Sequence, residues 1–115
     1  MTSFVEVPEF LKDLKKLKVD LSKDLEVFKK ALAVCPSGLN GAVRITGLGE
    51  GIYPVFKARK FRCKALNKGS KSGIRLVYTH HPLNDEIYLI AIYQKNHQEN
   101  HDVDRIKKYV VKVEK

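Results

Sequence analysis

Long apolar runs, paired cysteines and a leader-like start are all missing from this chain. The longest apolar run, Ile87 to Tyr93, falls far short of the roughly 18 residues that point to a membrane span. No basic start followed by an apolar stretch opens the chain, so no secretory signal is expected and a cytoplasmic location follows by default. Cys35 and Cys63 are far apart and neither belongs to a CxxC pair. They read as small buried hydrophobes in a reducing compartment, with no metal or redox use. The glycines of Gly47-Leu-Gly49-Glu-Gly51 lack the following Lys-Ser/Thr of a phosphate loop and read as a plain turn.

The most informative absence is that of acid. Residues 57 to 81 carry Lys57, Arg59, Lys60, Arg62, Lys64, Lys68, Lys71 and Arg75 and no Asp or Glu. Residues 1 to 56 hold eight Lys/Arg against seven Asp/Glu, and residues 82 to 115 hold six against six. Eight of the nine net positive charges therefore lie in one short segment. Clustered like charge repels itself, so this is more than a solvated face and points to a polyanion partner.

What is present is globular. The 115 residues, 43% hydrophobic and 30% charged, have the size and composition of one domain that folds without disulfides or metal. Ser3 to Val7 alternates as a short strand. Pro8 suits a first helical turn, and Phe10, Leu11, Leu14 and Leu17 follow at helical spacing. Asp20 or Ser22 caps a second helix with Leu21, Leu25, Phe28 and Leu32, which ends at Cys35 before Pro36. A short link makes the two an antiparallel helical hairpin.

Five of the seven glycines fall between Gly38 and Gly51, so residues 36 to 54 form a long connection, with a short strand at Ala42 to Thr46. Val55 to Leu66 is strand-like but changes phase: Phe56 and Ala58 share one parity, and Phe61, Cys63 and Ala65 the other. A bulge or break near Arg59 reconciles them and turns the basic residues away from the core. The loop Asn67 to Gly73 leads to a strand from Ile74 to about His80. After a turn at His81 to Asp85 comes Glu86 to Tyr93, apolar on both parities, as in a central strand covered on both faces. Asp102 caps a last helix with the stripe Val103, Ile106, Val110 and Val113. The expected fold class is α+β: an N-terminal helical hairpin packed on a small, mainly antiparallel sheet, with a C-terminal helix.

Two helices, an antiparallel sheet meeting a basic strand, and the string Ser72-Gly73-Ile74-Arg75-Leu76-Val77-Tyr78 together resemble the RelE/ParE superfamily of toxins from toxin–antitoxin systems. The likeness spans nearly the whole chain. It is most specific from Phe61-Arg62-Cys63-Lys64 through the Gly73 to Tyr78 string into Leu89 to Lys95. The RelE branch consists of messenger-RNA endonucleases acting on the ribosome, and the ParE branch of DNA gyrase poisons. The resemblance to RelE implies paired basic residues at Arg62 and Lys64, the strand arginine at Arg75 and a basic residue after the last strand at Lys95. The family's tyrosine position falls near His97 and His101, where this sequence has histidines instead. Lys57 and Arg59 are rival candidates for the paired positions. The resemblance also implies a cognate acidic antitoxin and mRNA on the ribosome as partners.

The residue chemistry fits a reaction without metal or cofactor. RNA brings its own 2′-hydroxyl nucleophile, and arginine and lysine stabilise the charge of a phosphorane-like transition state. A histidine titrating near neutrality suits the proton transfers. Lys57, Arg59, Lys60 and Lys71 then position phosphates. Bland readings stand beside these. His97 and His101 are spaced four apart, but the glutamate between them is misplaced for a zinc helix. His80 and His81 read as exposed turn residues, Tyr78 and Tyr93 as core aromatics or stacking platforms, and Arg75 as a structural partner of Glu86. Lys95 is equally an ordinary surface lysine. A ParE-like gyrase inhibitor and a non-catalytic nucleic-acid-binding module remain open as alternatives.

Overall fold

The computed structural model describes residues 2–17, 22–34, 42–45, 52–58, 74–94 and 103–110. Strand β1 (Ser3–Glu6) leads to helices α1 (Pro8–Leu17) and α2 (Ser22–Val34). Strands β2 (Ala42–Arg44), β3 (Val55–Ala58), β4 (Ile74–His81) and β5 (Glu86–Gln94) follow, and then helix α3 (Val103–Val110). The five strands form one mixed sheet in the order β1-β5-β4-β3-β2. β1 runs parallel to β5, and the other pairings are antiparallel. The α+β class is thus the observed one.

Each face of the sheet has its own core. On one side Phe10, Leu14 and Leu17 of α1 and Leu25, Phe28 and Leu32 of α2 pack with Phe56, Leu76, Tyr78, Leu89 and Ile92. On the other, Ile106 and Val110 of α3 pack with Val55, Val77, Ala91 and Tyr93. β5 lies between β1 and β4 with apolar residues buried on both faces, as its composition predicts. Its doubled parity has a second cause. Val77 pairs with Ala91 but Tyr78 pairs with Leu89, so Ile90 is an extra residue, a β-bulge. Before it Ile87 and Leu89 face the α1/α2 side; after it Ile92 does, while Ala91 and Tyr93 face α3. The break expected near Arg59, the strand onward to Leu66, the Asp102 cap, Cys35 and Cys63 lie outside the described residues.

The bulge sits where the sheet loses its edge partner. β1 stops at Glu6, and the last bond of the parallel ladder runs from the Val7 N–H to the Leu89 carbonyl. Beyond it, the Ile92 N–H donates to Asp13 Oδ2 at 3.2 Å, and Arg105 Nη1 donates to the Ile90 carbonyl at 3.3 Å. Arg105 Nη1 also lies 2.6 Å from Asp13 Oδ2. An ion pair between α1 and α3 thus supplies the acceptor and donor that another strand would have offered. The local sequence carries only a faint sign of this role for Asp13, a carboxylate on the apolar stripe of Phe10, Leu14 and Leu17. Leu11, expected on that stripe, is 46% exposed.

The far end of α3 is also tied down. Its last carbonyls have no partner within the helix. The Val110 carbonyl accepts from the Tyr53 N–H at 2.9 Å, and the Tyr109 carbonyl lies 3.2 Å from His81 Nε2. The His81 ring is stacked between Tyr53 and Tyr88, with centroids 4.0 and 4.4 Å away. Burial pushes its pKa below the ordinary 6.5, against the opposing pull of the Tyr109 carbonyl. A neutral ring with its proton on Nε2 satisfies both conditions. His80 lies 3.3 Å from Asp85, which also accepts from the Thr2 hydroxyl at 3.1 Å. Asp85 has φ of 49° and closes the turn before β5, a conformation that Asp tolerates better than most residues. His80 and His81 are therefore half-buried strand residues with partners, not exposed turn residues. The turn packs them inward because β4 runs to His81.

Asp13→Ala is expected to lower the unfolding free energy by about 2–3 kcal/mol, because it leaves the half-buried Arg105 guanidinium and the Ile92 N–H without their shared acceptor. Urea unfolding within about 0.5 kcal/mol of wild type would show that the pair is dispensable.

Candidate nucleic-acid interface

β4 begins with Ile74, Arg75, Leu76, Val77 and Tyr78, and all of these except Arg75 are at most 1% exposed. Alternation puts Ile74 and Leu76 on the α1/α2 side and Arg75 on the α3 side with Val77. Arg75 is half-buried, and its Nη1 lies 3.5 Å from the Ile74 carbonyl. A cation is thus set into a sheet surface whose neighbouring positions are locked by the core.

The register decides its neighbours. Arg75 is directly opposite Tyr93 on β5. Glu86, the structural partner expected for Arg75, is instead opposite His81 at the other end of the pair of strands. The reading of Arg75 as its ion-pair partner is therefore wrong, because an eight-residue strand separates the two by most of its length. Lys57 on β3 is opposite Val77, which makes it a diagonal neighbour of Arg75 on the same face, at a spacing of about 7–8 Å. Lys57 is half-buried rather than turned clear of the core.

Tyr78 and Tyr93 are both core residues. Tyr78 stacks on Phe56 at 5.5 Å and meets Phe28 edge-on at 6.0 Å, so it is no platform for bases. Tyr93 is 6% exposed, and its buried hydroxyl has no hydrogen-bond partner among the described residues. Burial raises its pKa, with the Arg75 charge working the other way. A buried hydroxyl left without a partner costs about 1–3 kcal/mol. Its position beside Arg75 has no signal in the sequence, since only the strand register reveals it.

β3 ends at Ala58, β4 begins at Ile74 and β5 ends at Gln94, all at this one end of the sheet. Arg59, Lys60, Arg62, Lys64, Lys71, Lys95, His97 and His101 lie outside the described residues. Of the expected site, the described residues thus bring together Lys57 and Arg75 and add Tyr93. Among the described residues, no three His, Cys, Asp or Glu side chains gather to hold a metal, and no helix is long and apolar enough to cross a membrane.

The bulge explains why the strand end has this composition. Without the extra residue at Ile90, Tyr93 would face α1 and Ile92 would face Arg75.

Tyr93→Phe is expected to leave stability unchanged or raise it by up to about 1 kcal/mol, since it removes a buried polar atom without a partner among the described residues. A decrease above that size in thermal or urea unfolding would reveal a hydrogen bond in the unliganded protein. Compared with models of known protein families and with curated proteins, the chain matches none.

Proposed function

We propose that this protein is a toxin of the RelE/ParE type, in its RelE branch, which cleaves mRNA on the ribosome. The observation that carries the reading is Arg75, a cation held by rigid neighbours at the sheet end where the acid-free segment of residues 57 to 81 leaves and re-enters the sheet. The RelE/ParE-like arrangement belongs to the same proposal: two helices on one face, a C-terminal helix on the other, and the Gly73-Ile74-Arg75 strand in the middle.

In this reading the 2′-hydroxyl oxygen attacks the adjacent phosphorus and the bond from phosphorus to the 5′-oxygen breaks. The products are a 2′,3′-cyclic phosphate and a 5′-hydroxyl. Arg62, Lys64 and Arg75 surround the reacting phosphate and stabilise the charge that builds on its equatorial oxygens, which preorganised cations do without reorganisation. Lys57, Arg59, Lys60 and Lys71 hold flanking phosphates and keep the attack in line. His97 or His101, assisted by Lys95, moves the proton from the nucleophile and returns one to the leaving oxygen. An acidic antitoxin covers the basic face and neutralises it.

Arg75→Ala and Lys64→Ala are each expected to relieve the growth arrest that follows induction while leaving the melting temperature unchanged. Primer extension on translated messages would show new 5′ ends after induction of wild type and none with either variant. Intact mRNA and ongoing translation in arrested wild-type cells would sink the proposal. Loss of supercoiling activity together with a DNA-damage response would assign the arrest to gyrase, and salt-sensitive RNA binding without any cleavage would leave a binding module.

A further inference from the structure

The acids and lysines of α1 are segregated in a way that charge totals conceal. Residues 1 to 56 are nearly neutral, but the carboxylates in and beside α1 are each taken up by a cation. Asp13 is buried against Arg105 at 2.6 Å. Glu9 accepts from the Tyr109 hydroxyl at 2.5 Å and from Lys108 Nζ at 3.0 Å. Glu6, just before the helix, takes Lys29 at 2.7 Å. The Glu9 partners hold its pKa down to about 2, with the Tyr109 hydrogen bond the largest cause, so the carboxylate is ionised and occupied at neutral pH.

Lys12, Lys15 and Lys16, by contrast, are all exposed. Their spacing of three and four residues lines them up on one stripe, opposite the inward-facing Phe10, Leu14 and Leu17. Among the described residues no carboxylate pairs with any of them. The two acids of α1 are thus paired, and its three lysines are the charged residues it exposes.

We infer that this outward stripe of α1 is a second phosphate-binding surface, which docks on the backbone of a structured RNA. The inference rests on the nucleic-acid reading above and extends it to another side of the molecule. Arg75 faces α3, whereas α1 packs on the opposite face of the sheet. The two surfaces thus meet different parts of one RNA assembly: Arg75 and its neighbours take the reacting strand, and α1 holds a larger body of RNA. Lysine ammonium groups suit this task, since each binds phosphate as a point charge without requiring a fixed fork geometry. An anionic membrane fits less well. A helix lying in a bilayer surface needs an apolar face toward the lipid, and that of α1 is in the core, with Leu11 the one large apolar side chain of α1 that is substantially exposed.

The test is binding of a fluorescently labelled RNA hairpin to the full chain across a KCl series, compared with the triple variant Lys12→Gln, Lys15→Gln, Lys16→Gln. The slope of log affinity against log salt is expected to fall by about two to three in the variant, roughly one step for each phosphate that a lysine no longer neutralises. A triple Lys→Arg variant should keep the wild-type slope, and both variants should melt with wild type. An unchanged slope in a folded glutamine variant overturns the inference. So does tighter α1-dependent binding to phosphatidylserine vesicles or to polyglutamate than to the hairpin at equal salt, since it would assign the stripe to a membrane or an acidic protein. Cleavage is read separately on mRNA. A wild type that cleaves mRNA but shows no α1-dependent slope defeats this inference alone, and one that binds through α1 without cleaving defeats the nuclease reading alone.

Discussion

Asp13 and Arg105 meet beside the bulge of β5, where β1 has ended and the sheet would otherwise present bare backbone. Their charged groups serve the Ile92 N–H and the Ile90 carbonyl while neutralising each other. Exposed strand edges invite pairing with other chains, and covering them is a recurrent remedy. Here the cover is made by side chains from two helices that belong to different faces of the sheet. The pair therefore does two things together: it closes the edge, and it fixes α1 against α3 around that edge.

Much of the remaining geometry follows. With α3 held at Arg105 near its start and at the Tyr109 and Val110 carbonyls at its end, Ile106 and Val110 are set against Val77, Ala91 and Tyr93. This second core is small, and the bulge at Ile90 is what turns Ala91 and Tyr93 toward it. Arg75 emerges at the margin of that core, flanked by buried neighbours on its own strand and by Tyr93 across from it. In the proposed role such a placement helps, because a preorganised cation needs no reorganisation as charge develops.

The elements are legible in the sequence because their periodicities are strong. Helix α1 starts at Pro8, β4 starts at Ile74, and the doubly apolar Ile87 to Tyr93 lies in a central strand. What stays hidden depends on long-range pairing. Asp13 and Arg105 are 92 residues apart, and nothing local announces that one will find the other. The sandwich of His81 between Tyr53 and Tyr88 likewise joins three segments, so a histidine before a proline reads as a surface turn. Parity visibly changes near Arg59 and draws attention there, while the bulge in β5 is masked by a run in which every residue from Ile87 to Tyr93 is apolar. Of the candidate site, Lys57 and Arg75 are legible from the basic segment and the Gly-Ile-Arg string. Tyr93 is not, because its proximity to Arg75 is a matter of strand register.

The proposed chemistry asks the protein to do little beyond holding and stabilising, because the substrate carries its own nucleophile. That division of labour can be probed directly on ribosomes programmed with a defined mRNA. One message is all ribonucleotide; a second has a single 2′-deoxy nucleotide immediately 5′ to the scissile phosphate. The account predicts cleavage of the first to a 2′,3′-cyclic phosphate and a 5′-hydroxyl, and no cleavage at that bond in the second. Equal cutting of both messages would contradict it, as would failure to cut either.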